Sequence, residues 1–162
     1  MKNMSRESVV RGLLVLLILL SGVALIPYVD LPHTAFSWRL FAGLYQPISV
    51  AIDIVPGSDT NPINPWSEEV IPVAILTTAE FDATTVDPLS VRFGPNGARE
   101  DDGQAQVEDV DGDGSLDLLL HFHTQDTGIE CGDTVAYLTG RTFRGQAIVG
   151  SDSITTVGCA YP

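Results

Sequence analysis

The amino-acid sequence predicts an all-β fold: a single β-sandwich of about eight short strands, preceded by one N-terminal apolar helix. Within residues 48–54 isoleucine and valine alternate with small or polar residues, which is the period of a half-buried strand. Val70–Leu76 is a continuous apolar run of strand length and indicates a central strand. No stretch after residue 47 shows a sustained helical period with caps. Short strands joined by turns are therefore expected from that point on.

Six further strands are expected after these two. They are Ser90–Phe93, Gln104–Val107, Leu116–Phe122, Thr134–Leu138, Gln146–Val149 and Ile154–Val157. Residues rich in Gly, Pro, Asn and Asp separate the runs and indicate turns at 56–59, 94–97, 132–133, 144–145 and 150–152. Pro72, inside the second strand, predicts a bulge or a sheet edge at that end. We interpret the set as an immunoglobulin-like sandwich of about 115 residues.

The first 29 residues are expected to be a signal peptide or a membrane anchor. Lys2, Arg6 and Arg11 precede the unbroken apolar run Leu13–Leu20. A basic start, an apolar centre and a following site of small residues describe a cleavable secretory signal. The apolar character continues to about residue 29, which is also long enough to span a bilayer as an uncleaved anchor. Both alternatives stay open.

The order of charges predicts which side of the membrane the rest of the chain occupies. All early cations precede the apolar run, so the positive-inside bias keeps the N-terminus in the cytoplasm and sends the remainder out. We expect a signal or anchor at 1–29, a tether at 30–46 and a calcium-binding β domain at 47–162. The domain would be extracytoplasmic in either case. It would meet the membrane only through an uncleaved N-terminal segment.

The chain is strongly acidic, with 21 Asp and Glu against 8 Lys and Arg and a net charge of −13. Such a surface repels nucleic acid and anionic lipid, so neither is an expected partner, and it favours cations. The acids are also unevenly spread. Residues 100–117 contain a dense group of them and no basic residue. An evenly solvated acidic face would not show this concentration.

The clearest motif lies in this acidic segment. Asp109, Asp111 and Asp113 occupy positions 1, 3 and 5 of a loop, with a glycine at position 6 where a sharp turn is needed. The carbonyl of Ser115 and the carboxylate of Asp117 complete a set of oxygen ligands typical of Ca²⁺. An EF-hand is excluded, because position 12 is leucine and the flanking segments have the pattern of strands. The expected cofactor is Ca²⁺.

Other candidate residues have weaker patterns. Two cysteines, Cys131 and Cys159, are expected to form one disulfide in an oxidising compartment. His121 and His123 would share one face of a strand, as in some zinc sites, but no third ligand stands at a recognisable spacing. Asp53, Asp59, Asn61 and Asn64 could supply oxygens to a second cation, although Asp59, Asn61 and Asn64 are more often turn formers. No hydrolase, metalloprotease or phosphate-loop motif is present, so we expect no enzyme.

The chain resembles a β-rich module of unassigned function in exported bacterial proteins. Its acidic loop is similar to the Asp-x-Asp-x-Asp-Gly-x-x-Asp calcium loops of integrin-type propellers. The matching segments are residues 52–58, 63–64, 70–76, 91–95, 107–117, 124–128, 138–140 and 150–152. Members of this family often carry Lys in place of Val55 and Asn in place of Asp111, and an Asn oxygen serves calcium equally well. The resemblance implies a secreted or surface context and a β fold, and it implies no activity.

The function expected from these features is a non-enzymatic, extracytoplasmic calcium-binding module with a structural or adhesive role. Its partner, besides calcium, could be a cell-surface protein or a glycan. The alternative is a carbohydrate-binding or hydrolase accessory domain. Exposed aromatic residues distinguish the two, because a sugar platform needs two or three coplanar rings on one face. The candidates for such rings are Trp38, Tyr45, Trp66, Tyr137 and Tyr161.

Overall fold

The computed structural model describes residues 46–101 and 103–159. The segments 1–29 and 30–45, with the expected helix and nearly all of the tether, lie outside the described residues. The described chain is mostly β. Its strands are β1 Ile48–Ser49, β2 Ile52–Ile54, β3 Pro62–Ile63, β4 Val70–Ile75, β5 Arg92–Phe93, β6 Ala98–Arg99, β7 Gln106–Glu108, β8 Asp117–His123, β9 Val135–Arg141, β10 Ala147–Ser153 and β11 Thr155–Thr156.

Three sheets are formed by these strands. A five-stranded sheet has the order β1-β10-β9-β5-β6, a four-stranded sheet has the order β2-β4-β8-β7, and β11 pairs with β3. The pairs β1–β10 and β3–β11 are parallel, and the other pairs are antiparallel. Within residues 46–101 and 103–159, the helical content is one short helix, α1 Thr124–Thr127, and 3-10 turns at Ala83–Thr85 and Pro88–Ser90. No helix within the described ranges is long and apolar enough to cross a bilayer.

The buried faces of the two larger sheets share one hydrophobic core. The ring centroids of Phe93 on β5 and Phe122 on β8 lie 5.1 Å apart and join the two sheets. Along β8, Leu118 and Leu120 are buried on the same side as Phe122. Successive strand residues point to opposite faces. Asp117 therefore starts β8 on the side opposite to these core residues.

The first expected strand is in fact two strands. β1 pairs with β10 in the five-stranded sheet, whereas β2 pairs with β4 in the four-stranded sheet. The chain passes from one sheet to the other at Val50 and Ala51, where Val50 N–H still donates to Val149 O at 2.9 Å. Ala51 O accepts from Leu76 N at 2.9 Å on the other side. The alternating pattern persists through the crossing because the buried side chains on both sides of it pack into the core that the two sheets share.

Two very short strands and one shortened strand also differ from the prediction. β3 and β6 have only two residues each, which is too short for a periodic pattern to appear. The expected strand at 90–93 begins later, because Asp87 Oδ1 accepts from Leu89 N at 3.1 Å and caps a 3-10 turn. These differences raise the strand number within the described ranges to eleven, rather than about eight.

The prediction of a turn at residues 150–152 is wrong, because these residues belong to strand β10. A Cβ added at Gly150 would lie 2.6 Å from Ile52 Cγ2. The glycine therefore permits the close approach of β10 to β2 and does not mark a turn. Pro72 is also explained by pairing. It lies on the central strand β4, and its carbonyl accepts from Val55 N, just beyond the end of β2. The nitrogen of Pro72 faces the same side, past the last residue of β2, so the missing N–H leaves no ladder bond unmade.

The two cysteines are joined. Cys131 and Cys159 form a disulfide with an S–S distance of 2.07 Å and a Cα–Cα distance of 5.7 Å. Next to it, Gly132 N–H donates to Thr156 Oγ1 at 2.9 Å. The bond therefore ties the turn before β9 to the segment that follows β11.

Candidate metal centre

The candidate metal centre lies in the loop between β7 and β8. These strands form an antiparallel hairpin in which Glu108 pairs with Asp117. Residues 109–116 are therefore a hairpin loop closed at its base by that pair. Ca²⁺ takes six to eight oxygen ligands, which a short segment supplies only by curling around the ion. The hairpin holds both ends of such a segment in place.

Three aspartates meet in this loop. Asp109, Asp111 and Asp117 each offer one carboxylate oxygen, and these oxygens all lie within 4.8 Å of one another. Asp109 and Asp111 are exposed, whereas Asp117 is only 1% exposed. The negative charges of the three groups repel one another at this separation. A cation bound among them would replace that repulsion by attraction, so the group can hold a metal ion.

Backbone N–H groups orient the two exposed carboxylates. Asp109 accepts from Gly112 N at 2.8 Å and from Gly114 N at 3.1 Å, one bond on each carboxylate oxygen. Asp111 Oδ1 accepts from Asp113 N at 3.0 Å. Gly112 and Gly114 have φ values of 78° and 92°, in the left-handed region that favours glycine. These glycines let the loop curl until its own N–H groups face Asp109.

Asp117 fixes the loop to the neighbouring strand. Its Oδ2 accepts from Val110 N at 3.0 Å, and its Oδ1 accepts from Thr77 N at 2.8 Å. Thr77 follows β4, and its hydroxyl donates to Leu116 O at 2.6 Å. Each oxygen of the buried carboxylate thus has a backbone donor, which offsets the cost of burying the group. One side chain links β4, the loop and β8.

The other two expected ligands are placed differently. Asp113 is exposed and lies outside the group of three. Its Oδ1 accepts from Ser115 N at 2.6 Å, in a local turn of the kind that Asp side chains form with backbone two residues on. Ligation by the carbonyl of Ser115 stays a prediction.

Asp53 lies in the electrostatic field of the centre. Burial raises the pKa of Asp53 above its usual range, and the negative charges of Asp152 and Asp111 raise it further. Asp53 belongs to β2 and Asp152 to β10, so the fold brings two distant strands near the loop. Asp152 Oδ2 accepts from Ile54 N at 3.1 Å and from Asn61 Nδ2 at 2.8 Å, which links β10 to β2. Sequence reasoning missed Asp152, because its segment has the composition of a turn.

The weaker metal candidates form no second group of close His, Cys, Asp or Glu ligands within the described residues. Within residues 46–101 and 103–159 the only group of three close His, Cys, Asp or Glu ligands is the loop group. His123 Nε2 lies 3.4 Å from Asp101 Oδ1, and His121 is half-buried on the same side of β8. Asn64 Oδ1 accepts from Trp66 N at 3.1 Å, which is the bond of a turn former.

The described exposed Trp and Tyr residues lie on different elements. Trp66 is 72% exposed in the turn after β3, and Tyr137 is 60% exposed on β9. The remaining Trp and Tyr candidates, Trp38, Tyr45 and Tyr161, lie outside the described residues. Among the outward positions of the described five-stranded sheet, Tyr137 is the single aromatic residue. This arrangement gives no support to an aromatic platform for neutral sugars.

The chemistry of the loop is that of a hard-cation site. Its donors are carboxylate oxygens held by backbone bonds, and the group of three contains no sulfur or imidazole ligand. Oxygen ligands select Ca²⁺ and Mg²⁺ over softer metals.

Comparison of this chain with known protein families, with curated proteins and with solved structures finds no match.

Proposed function

We propose that this chain is a non-enzymatic, calcium-stabilised binding module. The observation that carries the proposal is the group formed by Asp109, Asp111 and Asp117, whose oxygens converge within 4.8 Å at the tip of a hairpin. The ion would be held mainly by these three carboxylates. Asp113 and the Ser115 carbonyl would complete its oxygen shell after small rotations within the loop. No reaction is proposed, because backbone N–H groups hold the three carboxylates in an arrangement that suits a bound cation.

Calcium suits this loop better than magnesium does. Two of the three clustered aspartates are exposed, and they lie in an irregular loop whose curvature depends on Gly112 and Gly114. Calcium tolerates such irregular geometry with six to eight ligands at about 2.3–2.6 Å. Magnesium requires a near-ideal octahedron at about 2.0–2.1 Å and gives up its waters reluctantly. The loop would therefore select calcium.

The ion would serve the fold. The loop is continuous with β8, and Asp117 also bonds the end of β4 through Thr77. A cation at the loop would therefore stabilise the two central strands of the four-stranded sheet. Calcium sites in extracellular modules typically have dissociation constants of about 10⁻⁴–10⁻³ M. Binding to the folded state alone adds about 2.7 kcal/mol at 100 times the dissociation constant.

Calorimetric titration of the full-length chain with CaCl₂ tests this role. We expect one ion per chain, bound with a dissociation constant of about 10⁻⁴–10⁻³ M. Asp111→Ala should abolish the signal, because it removes a ligand that is exposed and makes only a local hydrogen bond. Equal heats from magnesium, or an unchanged titration in Asp111→Ala, would contradict the assignment.

We also propose that the β domain is a sandwich that functions outside the cytoplasm. Support for the sandwich comes from the core shared by the two larger sheets, and the immunoglobulin-like type stays a prediction. Support for the location comes from the Cys131–Cys159 disulfide, since such bonds persist in oxidising compartments. Fusion of a reporter enzyme that is active only outside the cytoplasm, placed after residue 46, should give activity. Activity only from cytoplasmic reporters would refute the location.

A further inference from the structure

The outward face of the five-stranded sheet carries three of the four described arginines. Arg92, Arg99 and Arg141 lie on β5, β6 and β9, and Arg144 lies in the turn after β9. Buried residues such as Phe93 alternate with them along the strands. Because successive strand residues point to opposite faces, the three strand arginines point away from the core. We call this surface the arginine face.

The strand register brings these arginines together around Thr139. Arg92 pairs with Arg99 on one side and with Thr139 on the other. Arg141 follows Thr139 by two residues on β9 and shares its face. Directly paired residues have Cβ atoms about 4.5–5.5 Å apart, and diagonal neighbours are about 7–8 Å apart. The three long side chains can therefore reach a single extended ligand.

Among the described residues, no acidic side chain on the same face of the sheet neutralises this concentration of positive charge. The chain has 21 acidic and 8 basic residues, yet no outward strand position of this sheet carries an acid. Within the described part of the chain, no arginine forms an ion pair. Like charges on directly paired positions, such as Arg92 and Arg99, destabilise a sheet. An anionic ligand lying across these strands would turn the repulsion into attraction.

The guanidinium groups are available to such a ligand. Arg92 Nη1 donates to Leu89 O at 3.0 Å and to Val91 O at 2.6 Å, which holds the group against the sheet and leaves Nη2 and Nε for other partners. Arg99 and Arg141 are exposed. The planar guanidinium fork matches a carboxylate with two parallel hydrogen bonds.

The rest of the face suits a sugar polymer better than a protein. Thr139 and Ser151 present hydroxyl groups, and Ser151 pairs with Tyr137, whose ring is exposed. Stable protein interfaces have a fully buried apolar centre. The strands of this face offer only Tyr137 and Val135 as exposed large apolar side chains. A polysaccharide would instead use the hydroxyls, one ring and the arginines.

We propose that the arginine face binds a polysaccharide whose sugars carry carboxylate groups. The arginines bind the carboxylates, the hydroxyls of Thr139 and Ser151 bond sugar hydroxyls, and the ring of Tyr137 packs on one sugar. The inference rests on the binding role proposed above and is independent of calcium. A chain that binds the sugar with or without calcium would thus support this inference even if the metal assignment failed.

The test is titration of the full-length chain, in detergent micelles, with a hyaluronan oligosaccharide, in which alternate sugars carry a carboxylate. Chitin oligosaccharides supply similar sugars without carboxylates, and poly-L-glutamate supplies carboxylates without sugars. We expect hyaluronan to bind at least about tenfold more tightly than either control. Added salt should weaken the binding, because the charge pairs are exposed. Absence of hyaluronan binding would overturn the proposal. Equal binding of poly-L-glutamate would do so too, and would assign the face to an acidic peptide.

Matched variants locate the binding. Arg99→Gln combined with Arg141→Gln should weaken hyaluronan binding about tenfold or more for each arginine, since a charged hydrogen bond is lost at each site. Arg144→Gln removes the same charge from the turn after β9 and should change binding less than about twofold. Equal losses per arginine in the two variants would overturn the proposal, since net charge alone would explain them.

Two further measurements complete the test. Arg99→Lys with Arg141→Lys keeps the charge and loses the fork, so its binding should fall between wild type and the glutamine variant. The lysine variant also replaces the glutamine variant if the glutamine variant does not fold.

Sedimentation at increasing protein concentration checks for self-association. Self-association that the same substitutions abolish would assign the arginine face to a second copy of the chain and overturn the proposal.

Discussion

In chelator, replacing Asp117 by Ala should lower the free energy of unfolding by about 2–5 kcal/mol, and in calcium the loss should be larger because a calcium ligand is removed as well. The carboxylate is 1% exposed and accepts from the N–H groups of Thr77 and Val110. Truncation leaves both donors unpaired next to the core, at about 1–3 kcal/mol each. Because domains of this size are stable by about 5–15 kcal/mol, the loss would be a large share of the total.

Urea unfolding of the full-length chain in chelator measures this loss, with Asp113→Ala as the matched control. Asp113 is exposed and accepts a single bond, from Ser115 N, so its loss should cost about 1 kcal/mol or less. Asp117→Asn keeps the volume and one acceptor oxygen, and it should give an intermediate value. Equal costs for Asp117→Ala and Asp113→Ala would show that the buried carboxylate does not hold β4 to the loop.

Removing the disulfide should have an effect of similar size. The double variant Cys131→Ala with Cys159→Ala opens a bridge between residues separated by 28 positions. In the chain-entropy account a closed loop of that size contributes about 3–4 kcal/mol. The bridge ties the turn before β9 to the segment that follows β11, and β11 pairs with β3 through only two residues. That short sheet should loosen first.

Hydrogen exchange of the variant checks where the loosening occurs. Amide protection should fall most at Thr155 and Val157, whose N–H groups bond Asn61 O and Ile63 O. Protection in β4 and β8 should fall only by the global loss of stability. An unchanged free energy of unfolding, or two alkylatable thiols in the natively produced chain, would contradict the disulfide's structural role.

The sequence predicted β4 and β8 well because their apolar runs are long, whereas the prediction ended β10 too early, at Val149. β4 and β8 nearly coincide with the predicted runs Val70–Leu76 and Leu116–Phe122, where burial on one or both faces imposes a continuous signal. The two-residue strands β3 and β6 give no such signal. β3 depends on its partner β11, which lies far along the chain, and β6 pairs only with the two residues of β5.

The motif of the candidate site could be predicted from the sequence, but the structural role of each aspartate could not. Aspartates two residues apart around glycines indicate a cation loop from the sequence alone. The burial of Asp117 depends on Thr77, which lies 40 residues away in sequence. The influence of Asp152 on Asp53 depends on the approach of β10 to β2. The arginine face likewise arises from strand pairing, because Arg92, Arg99 and Arg141 are unremarkable where they stand in the sequence.

The melting temperature of the full-length chain in calcium and in chelator tests the central claim most directly. If calcium belongs to the fold, chelation should lower the melting temperature by several degrees, because a ligand bound only by the folded state is lost. Magnesium should restore little of the difference, and Asp111→Ala should melt alike in both conditions. Identical melting curves for the wild-type chain in calcium and in chelator would contradict the claim and leave the acidic loop as a solvated turn.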